Sequence, residues 1–345
     1  MAGAGQIILI VALFALFAPS VPAQLDSEDV DMDRFRAKRE YEKHDFNLSD
    51  FVKCSVQFGQ MKSRYYVGEP VVAPLVVSNH TRFPISVSTN FIPRSHLTVE
   101  IRPEGQRKRR YRGPLQVGFY APQEFFVYPL EEIEHPFLIW GDNDTPSGLA
   151  FPEPGEYTIE MTLRISVPEA SISDRIIRFP TFVLEITEPE PNLAPLIDTI
   201  RDVKGFVPLH LKRLPQGWDD QKVQGLIKEH GANALVPYLY FALAEYFHGR
   251  MLEAKEEDRR LIDNALLSYQ YAGMSDSAFK FGAYMEVLAM CEELELPKQS
   301  AIVCRKLMEV APRHMAGHFA ENPLFRKYLG MNKEIEPKEH WTVLR

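Results

Sequence analysis

His314-Met-Ala-Gly-His318 sets two imidazoles four residues apart, with Glu321 three further on. On a helix that spacing turns both rings to one side, as zinc hydrolases require. Met315 stands where such an enzyme carries its glutamate, and Pro312, Gly317 and Pro323 leave little room for a helix. The segment reads as a polar loop, with no metal expected. A second group is basic. Arg102, Arg107, Lys108, Arg109, Arg110 and Arg112 form a local cluster in a chain of net charge −8, with Gly105 and Gly113 suggesting a hairpin tip or edge. Such a cluster can dock a polyanion or an acidic partner, or guard an edge strand against pairing. Carboxylates abound at Glu131, Glu132, Glu134, Asp142, Asp144, Glu153 and Glu156. A glycoside hydrolase needs two of them held at a set separation, which a sequence does not display.

Aromatic side chains offer another contact. Phe119, Tyr120, Phe125, Phe126, Tyr128 and Trp140 crowd into one stretch. Neighbours such as Phe125 and Phe126 point to opposite faces of a strand, so one of each pair is covered by the rest of the protein or is exposed for binding. Coverage by a second domain is the expectation. The binding candidates are therefore Arg107, Lys108, Arg109, Arg110, Arg112, Phe125, Phe126 and Tyr128. No catalytic, cofactor-binding or metal-ligating set is expected. Phosphate-loop, dinucleotide and nucleophile-elbow motifs do not occur.

The elements that position these residues fall into two kinds. From 51 to 187 apolar residues recur with period two, as in Tyr157, Ile159, Met161, Leu163 and Ile165. Strands are expected at 52–58, 71–77, 85–91, 97–101, 115–119, 125–128, 133–140, 157–165 and 176–186. Many short strands with turn signals between them make an antiparallel β-sandwich. Pro74, Pro84, Pro129 and Pro136 suit edges, strand starts or bulges. Residues 188–218 open on Glu188-Pro189-Glu190-Pro191 and read as a linker, with a short helix open at 193–203. From 219 to 331 the period becomes helical, with an expected cap at Asp219 or Asp220 and stops at Gly231, Gly249 and Gly273. Residues 332–345 form a tail. The fold class is multidomain β + α: an N-terminal sandwich and a C-terminal α-helical hairpin domain.

Two resemblances follow from these residues. Gly68-Glu69-Pro70 leading into a strand, Asn79 in the next turn and Pro154-Gly155-Glu156-Tyr157 resemble bacterial immunoglobulin-like sandwiches, including the BsuPI-like proteinase-inhibitor type. That implies a fold and a binding role, with no inhibitory loop to carry over. Ala242-Leu-Ala-Glu-Tyr246 and Ala301-Ile-Val-Cys-Arg-Lys-Leu-Met-Glu-Val-Ala-Pro312 resemble tetratricopeptide hairpins. Without a strict repeat, an irregular bundle stays open beside them.

Address and chemistry complete the reading. Ile7 to Ala18 is a twelve-residue apolar run, short of the roughly 20 needed to span a bilayer. Val21-Pro22-Ala23 after it fits a signal-peptide cleavage site, so 1–23 is read as a signal peptide. Residues 24–50 form a charged leader, and no transmembrane segment is expected in the mature chain. The protein should be secreted or periplasmic. An acidic chain of 345 residues with pI near 5.8 lacks the basic face of a nucleic-acid binder. Cys291 and Cys304 flank Pro297 and could form a disulfide in an oxidising compartment, or stay packed thiols. Asn47, Asn79 and Asn143 each begin a glycosylation acceptor pattern. The expected function is non-catalytic binding or scaffolding toward a protein or an envelope or extracellular polymer. The alternative is a hydrolase or proteinase inhibitor acting on such a polymer. No cofactor is expected, and the oligomeric state is open.

Overall fold

Strand β9, Gly155–Val167, shows how the N-terminal half is built. Tyr157, Ile159, Met161, Leu163 and Ile165 are all buried, and the residues between them face outward. Period two thus sets one side of the strand against a core. The computed structural model describes residues 52–56, 64–88, 97–114, 124–167, 172–254, 258–275, 277–311, 319 and 323–330.

Eleven strands are described: β1 Val52–Val56, β2 Arg64–Tyr66, β3 Val71–Asn79, β4 Ile85–Ser88, β5 Leu97–Pro103, β6 Arg109–Arg110, β7 Glu124–Val127, β8 Glu132–Ile139, β9, β10 Ile172–Arg178 and β11 Phe182–Thr187. One sheet has the order β1-β3-β8. The other follows β2-β11-β9-β4-β7, with β10 and β5 also paired to β9 and β6 to β5. Every pairing is antiparallel except β2 with β11. The inward residues of both sheets, Leu75 and Phe137 from one and Ile101 and Leu163 from the other among them, belong to a single buried cluster.

Two strand expectations change. Residues 176–186 are not one strand: β10 and β11 run along the same flank of β9, broken at Phe179-Pro180-Thr181. Proline cannot donate to a ladder, and the break falls where it stands. Pro74 lies inside β3, the central strand of its sheet, directly opposite Pro136 of β8. Two residues without N–H groups can face each other only at a non-hydrogen-bonded position, which requires no donor from either. The pair therefore costs no bond between β3 and β8; the edge expectation fails for Pro74 and holds for Pro136, since β8 is an edge of its sheet. The expected strand at 115–119 lies outside the described residues, as do the signal peptide, the leader, the tail and the His314–His318 segment.

Eight helices are described after the sheets: α1 Ala194–Asp202, α2 Phe206–His210, α3 Asp220–Glu229, α4 Val236–Glu253, α5 Arg259–Met274, α6 Lys280–Glu293, α7 Pro297–Val310 and α8 Pro323–Gly330. Asp219 caps α3 by accepting from the Lys222 N–H at 2.8 Å. Helices α4 to α7 pack each on the next, and α8 packs on α7. Helix α4 continues past the expected stop at Gly249, because Phe247 before it and Met251 beyond it pack on the core. A mid-helix glycine costs only about 1 kcal/mol against alanine.

The segment 188–218 is not a passive linker. Leu196, Ile197 and Ile200 of α1 and Phe206 and Leu209 of α2 are fully buried. They share one apolar cluster with both the sheets and the later helices. Among the described residues, no helix is long and apolar enough to cross a membrane.

Candidate functional site

The first place of interest is the joint between sheets and helices, centred on Trp140 at the end of β8. Its indole N–H donates to the Gly68 carbonyl at 2.9 Å. Its ring lies 4.7 Å from Tyr238 of α4, 5.7 Å from Phe206 and 6.0 Å from His210. The expected coverage of the aromatic stretch by the helical half is seen at this residue. Gly68 has φ +89, and an added Cβ would lie 2.9 Å from Ile197. Gly141 is pressed as closely on the α2 backbone, and its N–H donates to His210 Nδ1 at 3.1 Å. Burial, then the nearby Lys212 charge, lowers the His210 pKa to about 3, so the imidazole is neutral and accepts that bond.

Next to the joint lies a charge cluster that no spacing in the sequence announces. Lys212, just past α2, is 4% exposed. Its ammonium sits 4.6 Å from the Phe241 ring centroid and 5.6 Å from that of Phe279. Burial lowers its pKa, while the carboxylates of Glu245 on α4 and Glu286 on α6 hold it up. Glu286 keeps some exposed surface, yet its carboxylate lies in desolvating surroundings. That desolvation, then the Glu245 charge, raises its pKa to about 7 against the pull of Lys212. Tyr269 of α5 donates to Glu245 at 3.0 Å and lies 3.2 Å from His248 Nδ1.

Three members of the basic cluster are paired with carboxylates. Lys108 pairs with Glu100 and Glu160 at 2.9 and 3.0 Å, and Arg112 with Asp144 at 2.9 Å. Arg110 donates to the Thr98 hydroxyl at 3.0 Å. Arg109 is half-buried and donates to Asp142, which is fully buried, and to the Ala150 carbonyl. Arg109 is thus a structural clamp on the 142–150 loop. Arg107 is exposed.

The exposed aromatic candidate lies at the turn from β7 to β8. Leu130 is 85% exposed and Tyr128 42%. Phe126 is half-buried, and the Phe125 side chain lies outside the described residues. Leu130 has φ +64, a left-handed conformation that a leucine adopts only where its surroundings hold it there. What holds it is Asn79, whose carbonyl accepts from the Leu130 N–H at 2.7 Å and whose N–H donates to Glu131 at 2.9 Å. The buried Asn79 amide also donates to Phe83 and Val127 carbonyls at 2.8 and 2.7 Å, and accepts from the Thr81 N–H and hydroxyl at 2.9 and 2.7 Å. An Asn79 spent in this way is no glycan acceptor in the folded chain. Asn79→Ala should lose about 2–4 kcal/mol, since it strands several buried polar groups at once; urea unfolding measures it, and a loss under about 1 kcal/mol would refute this role.

Of the two readings open for Cys291 and Cys304, the structure has the packed thiols. Both are buried free thiols. Burial, with the Glu292 charge adding to it, pushes both up to about 12. This suppresses the thiolate that disulfide exchange requires. Among the described residues no group of three His, Cys, Asp or Glu is placed to hold a metal ion.

No protein-family model and no curated protein matches the chain. Among solved structures, the PapD-like domain 7 of human CEP192 is similar at 14% identity and TM-score 0.26, over 43% of this chain and 92% of that one. The sporulation control protein Spo0M of Bacillus subtilis is similar at 15% identity and TM-score 0.24, over 44% and 55%. A CARDB domain from Pyrococcus furiosus is similar at 14% identity and TM-score 0.22, over 41% and 95%. Likeness at this level is too weak to carry functional information.

Proposed function

We propose that this chain is a non-catalytic binding or scaffold protein that works outside the cytoplasm, as an immunoglobulin-like sandwich fused to tetratricopeptide-like hairpins. The observation that carries the binding role is the Tyr128–Leu130 turn: an exposed aromatic and an exposed leucine held on a rigid, fully hydrogen-bonded base. A protein surface with an apolar recess suits such a knob better than a polymer does, because anchors of this kind act by filling a pocket. The carboxylates paired with Lys108, Arg109 and Arg112 make the basic hairpin the weaker candidate.

Affinity capture from an extracellular or envelope extract tests this, with three baits: the native chain, Tyr128→Ser/Leu130→Asn, and Arg107→Ser/Lys108→Ser/Arg110→Ser. Arg109 is left intact because it holds the buried Asp142. A partner kept by the native and basic-hairpin baits and lost by the turn variant is the expected result. Loss by the basic variant alone would move the contact to 107–110. A turn variant that keeps every partner would overturn the assignment.

The Lys212 cluster favours a second reading, a hydrolase with Glu286 as its proton donor, since displaced pKa values gather at active sites. Against it, Lys212 is buried against the Phe241 and Phe279 rings, so the cation of the cluster is closed to a polymer substrate. Hydrolysis of an envelope polymer by the native chain, lost in Glu286→Gln, would decide for the enzyme.

A further inference from the structure

The charge cluster is unbalanced, and it spans the joint. One ammonium, Lys212, serves two carboxylates, Glu245 and Glu286. Lys212 is not part of the helical layer. It follows α2 directly and has φ +58, and its side chain is sandwiched between Phe241 of α4 and Phe279 at the start of α6. The cluster therefore ties the α1–α2 segment, on which Gly68 and Trp140 rest, to α4 and α6.

Each neighbour of Glu286 can be named. Lys212 faces it from the joint, Glu245 from α4 and Tyr269 from α5. Beyond these, His248 touches Tyr269, and His210 faces Lys212 from α2. On helix α7, Ser300 donates to Glu292 at 2.5 Å, and Lys306 and Glu309 act on Tyr284. With one proton on the carboxylate pair the cluster is neutral. Without it, a net negative charge is left in surroundings that solvate it poorly, and repulsion between the two carboxylates pushes α4 and α6 apart.

We propose that Lys212, Glu245 and Glu286 form a proton-controlled latch between the α1–α2 segment and the helical layer, closed while the carboxylate pair holds a proton and slackened when it leaves. The sign follows from the raised Glu286 pKa of about 7. A carboxyl raised on folding contributes stability that is complete below the unfolded carboxylate range. That contribution is lost as pH climbs from there through about 7.

Hydrogen exchange on the full chain tests the latch at pH 5 and pH 8.5, after correction for intrinsic rates. Amides of 196–212 and of α4 near Glu245 should lose at least about tenfold in protection at the higher pH, the equivalent of one pKa unit. Amides of β9 should not. Glu286→Gln, neutral at every pH, should abolish the difference and be the more protected form at pH 8.5. Equal protection in the native chain at both pH values would overturn the proposal even if the variant did not fold. So would a Glu286→Gln chain that kept the native pH dependence.

Discussion

Trp140→Ala should lose about 3–5 kcal/mol of unfolding free energy, the range for deleting a large buried aromatic. Trp140 is 1% exposed and touches three elements at once. Its ring packs on α4 through Tyr238 and on α2 through Phe206, and its N–H binds the Gly68 carbonyl beside β2. A hole there removes the contact that joins sheets to helices. Since domains hold only some 5–15 kcal/mol in total, the variant should also lose cooperativity. Urea unfolding followed by far-ultraviolet circular dichroism should then split into two transitions. Trp140→Phe separates packing from hydrogen bonding: it keeps most of the ring and strands the Gly68 carbonyl, for a loss of about 1–3 kcal/mol. A single transition displaced by less than about 1 kcal/mol in Trp140→Ala would show that the two halves do not depend on this side chain.

The joint was half-readable in the sequence. Gly68-Glu69-Pro70 marks the opening of a strand, and β3 begins directly after it. Nothing in those three residues says that Gly68 is bare because Ile197 of α1 rests against it. Close approach between segments distant in the chain leaves no periodic trace. The alternation in β5 and β9 was legible because one face of each is buried and the other is solvated, which forces period two. Strands β2 and β6 were not, being three and two residues long, too short to show any period. Helix α1 was legible as the short helix open at 193–203, whereas α2 was hidden by prolines that look like a linker.

The site was less legible than the fold. The basic run from Arg107 to Arg112 is conspicuous because its residues are consecutive. Its partners Glu100, Asp142, Asp144 and Glu160 come from other segments, and they decide that it is largely neutralised. Tyr128 was legible as an aromatic beside a turn, but the more exposed Leu130 was not, because its φ is dictated by Asn79 across the sheet. One signal could have exposed the Lys212 cluster. Helix α6 and the first half of α4 are apolar on nearly every side and mostly buried. A glutamate in such a helix, as in Ala244-Glu-Tyr246 or Met285-Glu-Val287, demands a partner of opposite charge. The demand is visible in the sequence, and the lysine that meets it is not.

Lys212→Met tests that demand most severely. Methionine matches the length and apolar stem of lysine, so the space between Phe241 and Phe279 stays filled. The ammonium alone is removed, and Glu245 and Glu286 then face each other without a cation. Breaking a buried ion pair from one side costs about 3–5 kcal/mol, because the remaining charge is desolvated and unanswered. That cost should be largest at alkaline pH, where Glu286 lacks its proton, and smaller below about pH 5, where it holds one. The triple variant Lys212→Met/Glu245→Gln/Glu286→Gln removes every charge together and should recover most of the loss, as replacing a whole buried ion set often does. Urea midpoints of the three chains at pH 5 and pH 8.5 give the comparison. If Lys212→Met is as stable as the native chain at pH 8.5, the ammonium contributes nothing that its methylenes do not, and the cluster is ordinary packing. If Lys212→Met is destabilised equally at both pH values and the triple variant is no better, the loss comes from the shape of the side chain. A pH-dependent loss that the triple variant repairs can come only from charge, and it assigns to one lysine the work of holding two carboxylates inside the helical layer.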